Sequence, residues 1–343
     1  MNRFSLKNAP QIVRLFAVLL ILGLLVVYLG SQKNFGLLQY AQLSLDGLRG
    51  GAIYALIAMG FVMVFNVTGV INFAQGAFVM LGAMLTVTFY HLEMPLPDGL
   101  HLLASSILAV ILTVLIGLLV ERLTIYPARK SSTLTLIIIT VGVYIALQGM
   151  GLLVWGADAH VFPAFTTLEM SDRVFRWVGL VVKAQSFWIW GTMLLVLIAL
   201  IYFFERSLVG KAMRACSVNR LGARLVGIDA EKMSLLAFGL AAAVGAIGGI
   251  VVAPILRPSY DMGLALGLKG FVAAILGGLV STPGAVLGGL LLGFLENVAA
   301  GVTKAGMKDI YAFILLILTL LLRPQGLLGV RKTAVESDAE EHS

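Results

Sequence analysis

Four amide and hydroxyl side chains interrupt a long apolar stretch: Asn66, Thr68, Asn72 and Gln75, in the segment NVTGVINFAQG with Gly69 and Gly76. Polar groups inside apolar sequence are costly in a bilayer, which makes them functional candidates by default. Two arrangements fit the pattern. In one, the break is a discontinuous helix whose free backbone ends meet a polar solute. In the other, it is a tight cytoplasmic turn capped by asparagine. Lys269 and Glu296 also fall in apolar sequence, between residues 267 and 301. Lys269 either snorkels to the outer interface on its long stem or binds substrate, and the first reading is favoured. Glu296 lies deep enough to need a partner, either as a hydrogen-bonded structural carboxylate or as a pathway group. The candidate substrate-pathway residues are therefore Asn66, Asn72, Phe73, Gln75 and Glu296.

A second feature is the polar run ERSLVGKAMRACSVNRLGARLVGIDAEK, residues 205–232. It sets Arg206, Lys211, Arg214, Arg220, Arg224 and Lys232 against Glu205, Asp229 and Glu231. A basic loop by itself anchors topology. The order within this one implies more. A basic amphipathic segment with small residues (Ala212, Ala215, Gly222, Ala223) ends in Gly227-Ile228-Asp229, and a new apolar span follows. That order predicts a helix–turn–helix presented to a partner.

Other chemistry is missing. No GxxxxGK[ST] loop exists; Gly210-Lys211 is followed by Ala212 and lacks the upstream glycine, so ATP hydrolysis by that route is excluded. His91, His101 and His160 fall in or beside loops and His342 in the tail, none spaced for a metal. The single Cys216 cannot form an internal disulfide. No Ser-His or Asp-Asp pair within a span suggests an intramembrane protease, and no regular arginine series suggests a voltage sensor. The net charge of +7 does not point to nucleic acid, because the basic residues cluster in short loops beside apolar runs.

These residues must be positioned by membrane helices. The 343-residue chain is 60% hydrophobic and 12% charged, with mean hydropathy +1.01; soluble domains carry about 25% charged residues. Long unbroken apolar runs exclude the alternating barrel pattern, which leaves helices. The expected fold is an all-α integral membrane protein, one polytopic bundle over residues 1–343 with roughly 8–10 spans. The spans are Leu15–Gly30, Leu45–Phe65, Val70–Tyr90, Leu100–Val120, Thr133–Trp155, Phe187–Phe204, Ser234–Ile255 and Ile310–Leu322. The pair 267–301 forms either two short crossings or a re-entrant hairpin. Residues 156–186 form a mixed loop whose alternating stretches suit short strands or an interfacial helix. The first span is read as uncleaved, and the acidic tail, 331–343, as disordered.

Lysine and arginine placement sets the orientation. Arg3, Lys7 and Arg14 put the amino terminus in the cytoplasm, and alternate crossings then put Arg122, Arg129, Lys130, the 205–232 run and the carboxyl terminus there too. Gly47/Gly51, Gly245/Gly249, Gly284/Gly288 and Gly289/Gly293 are each four apart, a spacing that lets helix backbones approach closely. That spacing suits either generic packing or a tight bundle around a pathway.

Three separated motifs resemble one family. GLRGGAIYALIAMGFVMVFNVTGVINFAQGAFVMLGA (47–83), GKAMRACSVNRLGARLVGID (210–229) and FVAAILGGLVSTPGAVLGGLLLGFLE (271–296), with the ending LLLRPQGLLG (320–329), are similar to the permease subunits of branched-chain amino acid ABC transporters. The resemblance covers about residues 40 to 330 and is closest to the first of the two paired permeases. Urea and short-amide permeases belong to the same family. The resemblance implies a subunit without enzymatic activity or a cofactor of its own. Two separate ATP-binding subunits would bind ATP, a second permease subunit would complete the pathway, and a periplasmic binding protein would deliver the solute. It implies a bacterial inner-membrane location. It makes 205–232 the coupling loop, with Ala212, Arg214, Ala215, Asn219, Arg220, Gly222, Arg224 and Gly227 as the ATPase contact. Ala215 and Gly222 would permit close docking, and the arginines would meet acidic groups. One departure stands out: Gln75 occupies a position where family members often have histidine, and Gln75 does not titrate near neutral pH.

The rival of another class is a stand-alone secondary transporter or channel. It would need an ion site within the spans, where the sequence offers few carboxylates.

Overall fold

A computed structural model describes residues 28, 30–92, 97–166, 174–177 and 179–329. Most of the expected first span and the tail 331–343 lie outside the described residues. With no water to satisfy their backbone, the apolar runs become helices. In chain order these are α1 (Leu37–Thr68), α2 (Gln75–His91), α3 (Asp98–Val120), α4 (Thr133–Trp155), α5 (Ala184–Arg206), α6 (Leu208–Val218), α7 (Arg220–Leu225), α8 (Ala230–Leu256), α9 (Met262–Gly277), α10 (Thr282–Val302) and α11 (Lys308–Leu322). Helix α3 continues through a π-helical turn, Glu121–Ile125, and a single turn, Tyr126–Ala128. In the mixed loop, β1 (Val174–Trp177) and β2 (Leu180–Lys183) pair as an antiparallel hairpin.

Among the described residues, six helices are long and apolar enough to cross a membrane: α1, α3 with its continuation, α4, α5, α8 and α10. Three shorter helices, α2, α9 and α11, carry the other expected spans. The chain is an all-α polytopic membrane protein. Its helices divide into two classes. The apolar window of α1 is 83% buried and that of α8 72%, against 22% for α4 and α5. Helices α3, α4 and α5 therefore show most of their apolar side chains outward, to lipid. Helices α1, α2, α8, α9 and α10 make the inner bundle.

Glycine sets the inner spacing. Gly47 and Gly51 of α1 face Gly289 and Gly293 of α10; a Cβ on Gly47 would lie 2.8 Å from the Gly293 carbonyl oxygen, and one on Gly51 2.7 Å from that of Gly289. Gly245 and Gly249 lie against Phe78 and Val79 of α2, and Gly288 lies against Ala273 and Gly277 of α9. Each of the four sequence pairs thus sits where two backbones touch.

The connections gather on two faces. On one, the Arg129–Glu231 ion pair joins the 121–132 connection to the start of α8. Asn66 Nδ2 donates to Val280 O at 3.4 Å, and the Leu327 and Leu328 amides donate to Leu276 and Gly277 carbonyls at 2.8 and 3.0 Å. Three of the expected basic clusters therefore share this face. On the other, Gln42 bonds Val181, Asn297 Nδ2 donates to Leu43 O at 2.7 Å, and the His160 amide donates to Pro258 O at 2.8 Å. The 267–301 pair runs between these faces as two crossings. Helix α9 has 16 residues, about 24 Å, and follows α8 through the short turn-containing connection 257–261.

The seam between α1 and α10 gives the first prediction. Gly51→Leu or Gly293→Leu should lower the thermal midpoint of the detergent-purified protein, because overpacking against backbone costs about 1–3 kcal/mol or more. Gly50→Ala, whose Cβ meets nothing within 4 Å, should leave it in place. Equal midpoints for all three would mean that the seam is not tight.

Candidate functional site

The helix break starts at the basic face and ends inside the bundle. Helix α1 closes at Gly69, whose φ of 72° is left-handed and whose amide reaches Phe65 O at 2.8 Å. The chain then turns back between α1, α4 and α8. Because its backbone groups leave helical pairing, each needs another partner. The Phe73 amide donates to Thr140 Oγ1 at 3.1 Å, and the Ala74 amide to Asn72 Oδ1 at 3.1 Å. The Gln75 amide donates to Asn72 O at 3.1 Å, and its side-chain Nε2 to Ala241 O at 3.1 Å. The Gln75 side chain packs on Gly60, about 12 Å along α1 from its end, and Ala241 lies about 16 Å into α8. Helix α2 therefore begins well within the bilayer depth. The tight-turn reading describes only Asn66–Gly69; the whole segment is a discontinuous helix pair.

Asn72 and Gln75 are fully buried. Asn72 Nδ2 and Gln75 Oε1 have no hydrogen-bond partner among the described residues. In this conformation they belong to the packed core and each keeps one polar atom uncommitted. Phe73 is half-buried in an aromatic group, its ring 6.3 Å from Phe61 and 5.1 Å from Phe271. Asn66 sits apart from these residues, at the basic face.

Glu296 and Lys269 are brought together. Lys269 Nζ lies 2.8 Å from Glu296 Oε1 and 2.8 Å from Asp309 Oδ1, and the Tyr54 hydroxyl donates to Glu296 Oε1 at 3.4 Å. Lys269 thus does not snorkel free. Two carboxylates within reach offset the cost of keeping its ammonium in the bundle.

The 205–232 run folds as the expected helix–turn–helix, α6 and α7. Met213, Cys216 and Ala223 are buried in a cluster with Val67 of α1 and Ala230 and Ala237 of α8, and burial pushes the Cys216 thiol up. The outer side is basic and apolar together: Arg214 and Arg224 are exposed, as are Val218, Leu221, Leu225 and Val226. Ala212, Ala215 and Gly222 are half-buried. Asn219 caps α7 by accepting the Gly222 amide at 2.8 Å. Gly227, at φ 86°, makes the turn into α8. Arg220 differs from the other arginines. It turns inward and lines a small cavity with Thr68, Glu121, Arg129 and Glu231.

Glu121 and Thr140 were not named from sequence, and Glu231 entered only the charge balance of the 205–232 run. Glu121 is 3% exposed and opens the π-helical turn, Glu231 pairs with Arg129 and at 3.9 Å with Arg224, and Thr140 holds the re-entering chain. The available signal was the carboxylate at the head of ERLTIYPARK, which sequence reading used only for its basic residues.

An inner bundle built around a broken helix, with an amphipathic helix pair on one face, has the build of a polytopic transport permease. A family model described as branched-chain amino acid transport system / permease component matches residues 43–320, and the chain belongs to that family. It is 36% identical to the high-affinity branched-chain amino acid transport system permease protein BraD of Pseudomonas aeruginosa, over 84% of this chain and 96% of the relative. It is 32% identical to LivH of Escherichia coli, a permease protein of the same description, over 85% and 96%. A probable branched-chain amino acid permease, LivH of Methanocaldococcus jannaschii, is 27% identical over 82% and 92%.

The caps give two outcomes measurable by hydrogen exchange. Asn219→Ala should cost α7 about 1 kcal/mol, seen as faster exchange across residues 220–226 with α8 unchanged. The Asp229 carboxyl accepts the Lys232 and Glu231 amides, which hold it below the usual carboxylate range. A depressed carboxylate stabilises above its ordinary value, about 3.9, and that stabilisation disappears as pH falls through its lowered one. Protection at the start of α8 should therefore stay constant from neutral pH down to about pH 4 and drop below it. Loss of protection nearer neutrality would show that another group controls the cap.

Proposed function

We propose that this chain is a permease subunit of a binding-protein-dependent ABC importer in a bacterial inner membrane, carrying branched-chain amino acids. The solute comes from the descriptions of its relatives. The observation that carries the coupling role is the α6–α7 pair. It is rooted on α1 and α8 by Met213, Cys216 and Ala223, and it offers exposed arginines beside exposed leucines and valines. Such a surface suits a groove with an apolar floor and acidic rim. On this reading the α6–α7 face and both termini are cytoplasmic. Two ATP-binding subunits dock there, a second permease subunit packs beside the inner bundle, and a periplasmic binding protein docks on the far face. This chain binds no nucleotide and needs no cofactor. Closure of the ATPases pulls α6, and the break at residues 69–75 lets α2 move relative to α1. The equilibrium shifts because the ATP-bound partners fit one arrangement of the helices better than the other.

Uptake of labelled leucine in cells expressing the full system tests this. Arg214→Glu with Arg224→Glu should abolish both uptake and co-purification of the ATPase, with membrane levels unchanged. Uptake that persists after the ATPase subunits are deleted would overturn the importer. Uptake of urea or a short amide in place of leucine would overturn the solute. Asn72→Ala with Gln75→Ala should lower maximal uptake by roughly tenfold, from the loss of buried hydrogen-bonding groups; unchanged kinetics would make the break purely structural.

A further inference from the structure

A second polar site lies toward the face opposite α6–α7. A cavity of about 170 Å³ opens between α1, α8, α9 and α10, walled by Arg49, Gly50, Ile53, Leu256, Leu266 and Glu296. Glu296 is 2% exposed. Its Oε1 is occupied by Lys269 and Tyr54, while the buried Oε2 has no partner among the described residues. Lys269 is shared between two carboxylates, Glu296 and Asp309, so the cluster has surplus negative charge and an open acceptor. A buried acceptor in that state calls for a donor, and a cationic donor satisfies both needs. The remaining polar wall is mixed, with Asp46, Tyr54 and Asn297 beside two cations, Arg49 and Lys308. Arg49 spends Nη2 on Asp46 at 3.2 Å, and Lys308 lines the same cavity. Ile53, Ile255, Leu256 and Leu266 supply aliphatic surface between the two ends. The volume is close to that of a cavity of about 150 Å³ known to take benzene, so a compact aliphatic molecule fits.

We infer that this cavity binds an aliphatic α-amino acid, with its ammonium on Glu296 Oε2, its carboxylate toward Arg49 and Lys308, and its side chain among Ile53, Leu256 and Leu266. The choice of amino acid over a plain amine rests on the proposed importer function; the ammonium position rests on Glu296 alone. The geometry would give the permease its own contact with the solute near the face where a binding protein would release it.

The test is equilibrium binding of labelled leucine to the permease–ATPase complex in nanodiscs, with no binding protein present. Saturable binding is expected. It should be displaced by 3-methylbutan-1-amine, which keeps the ammonium, and far less by 4-methylpentanoate, which lacks it. Gly50→Leu places a side chain in the cavity where a Cβ meets nothing within 4 Å. It leaves every charged side chain of the site present and should weaken binding by roughly tenfold or more. Glu296→Gln should weaken it similarly and remove the preference for the amine. If Glu296→Gln fails to accumulate, Gly50→Leu decides. Wild-type affinity in Gly50→Leu, absence of saturable binding, or better competition by the carboxylate would each overturn the inference. Cellular uptake separates the two claims. Normal leucine uptake by a complex that shows none of this binding removes only the cavity site, whereas absence of leucine uptake by the wild type removes the importer reading.

Discussion

A backbone that leaves helical pairing inside a bilayer has to be enclosed by protein, because lipid offers no hydrogen bonds. Residues 69–75 impose that constraint here, and much of the inner bundle answers it. Thr140 and the Asn72 side chain satisfy amides of the re-entering chain, and α1, α8 and α9 close around it. Close enclosure requires thin helix surfaces, which glycine supplies at Gly60, Gly76, Gly245 and Gly267 around the break and at the α1–α10 seam. The lipid-facing helices have no such task. They are richer in large exposed apolar side chains.

The charged groups are distributed unequally between the two faces, and the difference is one of stiffness. The nearly buried Lys269 and Glu296 side chains tie α9 to α10, and Asp309 adds α11. Removing one partner of such a buried pair costs about 3–5 kcal/mol. At the basic face, Arg129 and Glu231 are each 35% exposed, in the range where an ion pair contributes about 0–1 kcal/mol. One end of the bundle is therefore held firmly. The other is held by contacts that exchange partners at little cost, as the second approach of Glu231 to Arg224 illustrates.

Sequence reading placed the described spans well because membrane helices are set by local composition. Thr133–Trp155 is the same in both, and the glycine pairs lie at helix contacts because small residues four apart can face little else. The helix–turn–helix at 205–232 was legible from its basic amphipathic order, its small residues and the Gly227-Ile228-Asp229 ending. Depth was not. NVTGVINFAQG reads the same whether the turn sits at the surface or whether its second half re-enters, since the answer lies in Thr140 and Ala241, far away in sequence. The pairing of Lys269 with Glu296 was hidden for the same reason: each charge was visible, but no pattern states which helices are neighbours. Arg220 shows a further limit. Its type matches Arg214 and Arg224, yet at the first turn of α7 it lines the small cavity shared with Glu121 and Glu231 instead of facing outward.

The α6–α7 pair and the helix break are also in direct contact. Val67, in the last turn of α1, is buried in the same cluster as Met213, Cys216 and Ala223, and Thr68 lines the same small cavity as Arg220. A displacement of α6 therefore bears on α1 within three residues of the point where its helical hydrogen bonds stop. Beyond Gly69 the chain has no helical ladder to carry strain as a rigid rod, and its torsions can absorb a shift that a continuous helix would transmit to the far face. Helix α2 restarts only at Gln75, against α8, whose first turn is itself linked to the basic face by Glu231. If α6–α7 is the coupling element proposed above, force applied there reaches α2 by two routes, through α8 as a rigid rod and through the break as a compliant one. A pair of helices driven at one face through links of unequal stiffness changes its relative angle rather than moving as one body, and the partly unpaired amides of Asn72 and Gln75 lie between them.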